Sequence, residues 1–173
     1  MSFSARKLSL MGVLIALAIV LKLPILSVPN VEFFTFVVFS SGFLLGIIEG
    51  CLVGVISMSL YTSIFTPYGL PPLPIAFAQV FSMALIGMVG GLSHRAYTGF
   101  PTGLKFLIMG LLGLGLTLIY DLFTNLATAF VMGQFLPVMI SAIPFALIHV
   151  LSNIAIFVIL TPVFLKLDRL TSI

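Results

Sequence analysis

Asp121 and His149 are the ionisable residues set most deeply in apolar sequence, and each has an amide four residues on, Asn125 and Asn153. That spacing puts both members of a pair on one helix face, with Tyr120, Thr124 and Ser152 beside them. Such groups are costly inside a membrane-spanning helix and tend to mark function. A carboxylate, an imidazole and amides can hydrogen-bond a ligand, titrate with a coupled proton, or satisfy one another as interhelical glue. Asp121 follows Lys105 by sixteen residues and His149 precedes Lys166 by seventeen, or ~24 Å and ~25 Å along a helix. On antiparallel neighbours the two reach a similar depth, toward the outer side of the midplane, where they face one cavity and pair directly or through water. Gln79, a turn into the helix after a Pro-rich loop, adds an amide to this concave polar site.

The elements that must hold these residues are membrane helices. Of 173 residues 61% are hydrophobic and 6% charged, against roughly a quarter charged in a soluble domain, which excludes a water-soluble globule. At about 20 residues per crossing the chain has room for six or seven spans, a single transmembrane domain over 1–173. Apolar runs and breakers predict helices at about 8–26, 33–48, 51–65, 75–93, 104–133 and 137–165. Pro24 and Pro29-Asn30 end the first, Glu49-Gly50 reads as a tight turn, and residues 66–74 form a Pro-rich loop. The N-terminal run after Arg6-Lys7 imitates a secretory signal but reads as the first span.

Orientation follows from the basic residues. Six spans with the N-terminus inside put Arg6, Lys7, Arg95, Lys105, Lys166 and Arg169 on the cytoplasmic side and leave Lys22 outside, a strong positive-inside asymmetry. Both termini are then cytoplasmic, in a multi-pass protein of the cell membrane. The net charge of +3 reflects this orientation and not nucleic-acid binding. Cys51 is the single cysteine, which excludes an intrachain disulfide and a Cys-clustered metal site; it reads as an inert apolar residue. Gly42, Gly46, Gly50 and Gly54, and Gly12-x-x-x-Ala16 on the first helix, make small-residue stripes that pack helices internally, unless the first-helix stripe docks another membrane protein. Glu32 is expected at the outer mouth, solvated or touching ligand, and Lys22 is expected to snorkel. Tyr61 and Tyr68 flank the Pro-rich loop as interface anchors or stacking groups.

Catalysis finds little support. His149-x-x-x-Asn153 resembles one motif of the glutamate-type intramembrane proteases, but their paired glutamates are missing, and Ser40-Ser41-Gly42 lacks the glycine of a rhomboid nucleophile motif. Two His and one buried carboxylate are a thin metal site. No Gly-rich stretch ends in Gly-Lys-Ser or Gly-Lys-Thr, so ATP, if consumed, is hydrolysed by a partner. A self-sufficient secondary carrier titrating Asp121 and His149 stays open, as does a non-transport membrane scaffold.

The first-helix stripe, Pro29-Asn30-Val31-Glu32, Gly42-x-x-x-Gly46, Pro67-Tyr68-Gly69, Pro71-Pro72, Gly90-Gly91 and Tyr120-Asp121-x-x-Thr124-Asn125 together resemble the S component of an energy-coupling factor (ECF) vitamin transporter. The resemblance runs over nearly the whole chain. It implies an all-α integral membrane bundle of six helices that captures a vitamin or precursor from outside and has no catalytic activity or cofactor of its own. Its partners would be a transmembrane coupling subunit and two cytoplasmic ATPases, which hydrolyse the ATP while the S component topples to release its cargo. The family docks its coupling subunit through an Ala-x-x-x-Ala stripe on the first helix; Gly12 and Ala16 occupy the matching place, with Gly for the first Ala. The Pro-Asn-Val segment and Pro-rich loop are most similar to cobalamin-type members, with riboflavin, queuosine precursors and other vitamins open. Lys22 is the one basic group on the outer side, so a dicarboxylate such as folate matches poorly. The expected ligand contacts are Asp121, Asn125, His149, Asn153 and Gln79, with Asn30 and Tyr68 from the outer loops.

Overall fold

A computed structural model describes residues 4–25, 28–65 and 69–171, except the side chains of 95, 98 and 167–171. The described chain is helical nearly throughout: α1 (Ala5–Lys22), α2 (Phe34–Leu45), α3 (Ile47–Leu60), α4 (Leu73–Thr98), α5 (Thr102–Met132) and α6 (Phe135–Thr171). A 3₁₀ turn, Leu23–Ile25, extends α1, and a π-helical turn, Tyr61–Phe65, extends α3. Five helical segments, Ala5–Ile25, Ile47–Phe65, Leu73–His94, Thr102–Met132 and Phe135–Lys166, are long and apolar enough to cross a membrane, while α2 is apolar but shorter. Their outward faces carry bare Val13, Phe77, Leu111, Phe130, Leu151 and Ile159. An apolar surface of that extent suits lipid and not water, and the chain is a multi-pass membrane protein.

The expected turn at Glu49-Gly50 is corrected. The break falls at Gly46, whose φ of 124° lies in the region open to glycine alone. Gly46 N–H still bonds to Gly42 O and Gly50 N–H to Gly46 O, so α2 and α3 meet with little loss of backbone pairing. Glu49 thereby moves into the first turn of α3, where a carboxylate complements the helix dipole. It also accepts the ammonium of Lys7, tying the start of α3 to the start of α1.

The glycines explain how α2, α3 and α4 pack. A Cβ on Gly42 would stand 1.8 Å from Gly87 O, one on Gly87 2.0 Å from Gly50 O, and one on Gly54 2.2 Å from Met83 O. Bare backbones therefore touch along this seam, as small residues allow between membrane helices. The predicted stripe is thus internal packing, but Gly46 is its hinge and not a member, and α4 supplies the facing glycines. Phe39 and Phe43 on α2 pack against Phe157 and Phe164 on α6, Phe43 to Phe164 at 4.5 Å between ring centres. α5 lies along α6. By contrast α1 sits at the edge, with Gly12 and Ala16 exposed and nothing within 4 Å of a Cβ on Gly12.

Candidate functional site

A cavity of about 500 Å³ opens where the end of α1, the connection to α2, the π turn, the start of α4 and the facing halves of α5 and α6 converge. Its polar wall begins with the connection. Asn30 adopts a left-handed φ of 59°, which Asn tolerates better than most residues. Its Nδ2 donates to Phe145 O and its own carbonyl accepts from Ser152 Oγ, each at 2.9 Å. Two bonds to α6 fasten the loop and bring Glu32 inward.

Glu32 is only 5% exposed. Its Oε1 accepts from Thr35 N–H at 3.2 Å and from the Thr35 hydroxyl, capping the first turn of α2. Lys22 Nζ stands 3.5 Å from Oε2, and His149 Nε2 stands 3.6 Å from Oε1. Burial works against its charge, but the Lys22 ammonium, the His149 imidazole and the Thr35 hydroxyl outweigh that cost and hold the carboxyl down at about 2. Lys22 is held from behind as well, 4.6 Å from the ring centre of Tyr61 and 5.4 Å from that of Phe34, a cation–π contact on both sides. The expectation that Lys22 snorkels is therefore overturned, and of the two readings open for Glu32 solvation is the one that fails. Glu32 is buried rather than solvated, and Lys22 turns inward rather than snorkelling, because each meets the opposite charge.

On the far wall His149 Nδ1 and Asp121 Oδ1 are 2.7 Å apart, so of the two pairings open from their matched depths, direct or through water, the direct one joins α5 to α6. His149 is thus bracketed by carboxylates at both ring nitrogens. Tyr120 presents its ring edge-on to the imidazole at 5.9 Å. Thr62 in the π turn donates to Gln79 Oε1 at 3.1 Å, which orients the amide beside the cavity; a π turn at such a place is a common feature of binding sites.

Of the residues expected to touch ligand, Asp121, Asn125, His149, Gln79 and Asn30 line this one cavity. Asn153 does not: it is fully buried and its Nδ2 donates to His149 O at 3.2 Å, so it supports the helix that carries the imidazole. Tyr68 lies outside the described residues. Gly12 and Ala16 are on α1, apart from the cavity. Sequence reasoning left Glu32 open between solvation and ligand contact and sent Lys22 to the interface, whereas both complete the cavity's charged wall. The available signal was their position on either side of Pro24 and Pro29, since a chain reversal there makes them neighbours.

Three cavity residues keep a buried polar atom without a hydrogen bond: Glu32 Oε2, Asp121 Oδ2 and His149 Nε2. Buried polar groups are normally satisfied, so the arrangement is equipped to meet groups on a bound molecule. Among the described residues no cluster of three or more His, Cys, Asp or Glu is placed to hold a metal ion. Comparison of the chain with models of protein families, with characterised proteins and with solved structures returns no match.

Proposed function

We propose that this chain is the substrate-binding subunit, an S component, of an ATP-driven energy-coupling factor importer in the cell membrane, and that it captures a vitamin or related micronutrient without catalysis of its own. The observation that carries the reading is the hollow of about 500 Å³ walled by Lys22, Glu32, Asp121 and His149. Setting four ionisable side chains, two buried and two half-buried, around one cavity is costly in a membrane bundle, and a hydrogen-bonding molecule bound there offsets the cost. The size supports a ligand of one or two rings, within the range of about 300–1,000 Å³ common for such sites. A whole corrinoid exceeds it, so cobalamin would enter only in part.

In this reading α2 is a short sixth span, both termini are cytoplasmic and the cavity opens outward. The bare Gly12 and Ala16 face on α1 supports docking of a transmembrane coupling subunit, through which two cytoplasmic ATPases act. The rival reading, a self-sufficient carrier, draws on the Asp121–His149 pair, whose proton occupancy would change during transport. Affinity purification of the tagged chain from its native membrane separates the two. The expected result is copurification of a membrane subunit and two ATPases, lost in the double variant Gly12→Leu, Ala16→Leu while ligand binding persists. Proteoliposomes of the chain alone that accumulate substrate under a proton gradient would favour the carrier.

A further inference from the structure

The charged wall of the cavity is balanced within itself. Lys22 faces Glu32 at 3.5 Å, and His149 faces Asp121 at 2.7 Å and Glu32 at 3.6 Å. A neutral imidazole has one N–H and one lone pair, and here the lone pair would point at a carboxylate oxygen whichever nitrogen carried it. The doubly protonated ring turns an N–H toward each carboxylate, hydrogen-bonded to Asp121 and in ion-pair range of Glu32. Two cations then stand against two carboxylates, and Lys22 is further committed to the Tyr61 and Phe34 rings. No unit charge is left for a ligand to neutralise.

The hydrogen bonds around the wall have a direction. Thr124 donates its hydroxyl proton to Tyr120 O at 2.9 Å, and Thr128 donates to Thr124 O at 2.8 Å, so toward the cavity both hydroxyls can only accept. Glu32 Oε2 and Asp121 Oδ2 are acceptors without a hydrogen bond. Gln79 has its carbonyl oxygen occupied by Thr62, which leaves its N–H₂ as the matching donor. Asn125 also lines the cavity and its amide offers one donor group and one acceptor, so acceptors still predominate.

Resting on the binding-subunit reading, we infer that the site selects a molecule with no net charge that presents several N–H or O–H donors to Glu32, Asp121, Thr124 and Thr128 and one acceptor to Gln79. A carboxylate, phosphate or ammonium on that edge would be buried without a counter-charge and disfavoured.

The test uses matched probes against the purified protein in detergent micelles, read by thermal shift and by calorimetry. One set is pyridoxine, its cationic analogue pyridoxamine and its anionic 5′-phosphate; the other is guanosine, its N1-methyl derivative and its 5′-monophosphate. The expected result is binding by at least one uncharged parent, weakened ~100-fold in its charged counterparts, the scale of a charge-bearing group left unpaired. Where guanosine is that parent, N1-methylation weakens it as well. In Asp121→Asn, where an acceptor oxygen becomes a donor, that parent should bind about tenfold more weakly. A charged member that binds more tightly than its uncharged parent overturns the inference while leaving the binding-subunit reading in place. Failure of both uncharged parents to bind overturns the inference too. The binding-subunit reading fails separately, if the protein also carries no small molecule when purified from cells.

Discussion

His149 Nδ1 meets Asp121 Oδ1 at 2.7 Å, joining α5 to α6 at the floor of a charged cavity. The bond does two things at once: it fixes the facing surfaces of two long helices, and it orients the imidazole so that its other nitrogen reaches toward Glu32. Removing one partner leaves a buried polar group unpaired and should cost about 3 kcal/mol of stability. In a double-mutant cycle of Asp121→Ala and His149→Ala, followed by unfolding in detergent, the double variant should lose less than the sum of the singles by about 1 kcal/mol or more. Additive losses would show that the contact carries no coupling.

Glu32 supplies a second prediction, this time in pH. Its carboxyl is held at about 2, below the ordinary 4.5, by Lys22, His149 and Thr35 against the cost of burial. A native value below the unfolded one contributes stability that is fully present above the unfolded value and is lost as pH falls toward the native one. Thermal midpoints should therefore decline from pH 5 downward toward pH 2, and decline less in Glu32→Gln. Equal slopes in the two proteins would remove Glu32 from the buried network.

The glycine seam is testable by single methyl groups. Gly42→Ala would drive a Cβ to 1.8 Å from Gly87 O, backbone that cannot yield locally, whereas Gly115→Ala meets nothing within 4 Å. The first should abolish folded protein in gel filtration. The second should be neutral or stabilise by up to about 1 kcal/mol, as Ala for Gly in a helix does. Equal tolerance of both would show that the three backbones do not touch.

Topology is a fourth. If both termini and the α4–α5 connection at 99–101 are cytoplasmic, as proposed, a cysteine at Leu70 in a Cys51→Ser background should react with an impermeant thiol reagent added outside, and one at Gly99 should not. The reverse pattern would invert the orientation.

Periodicity and breakers made the long helices legible in the sequence, because α4, α5 and α6 are continuous apolar runs bounded by Pro and Gly. The α2–α3 junction was not, since Glu49-Gly50 carries the louder turn signal while the bend falls at Gly46, the one glycine of the stripe with a positive φ. The deep pair Asp121 and His149 could be read from distance along the helix to Lys105 and Lys166. Asn153 shared the right spacing but rotates to the carbonyl of His149, a choice that i+4 arithmetic does not decide. Lys22 looked like an ordinary boundary charge, and Glu32 could be read equally as solvated or as touching ligand. What buries them is the Asn30 fold-back onto Phe145 and Ser152, a contact across more than a hundred residues that local pattern does not carry.

The claim that the cavity exists to hold a small molecule is met most directly by native mass spectrometry of the protein purified in mild detergent from cells grown in rich medium. The expected spectrum shows one small organic molecule bound per chain, released on activation and absent from the Asp121→Ala, Asn125→Ala double variant that still elutes as folded protein. A wild-type spectrum holding only the bare chain and lipid adducts, unchanged in that variant, would contradict it.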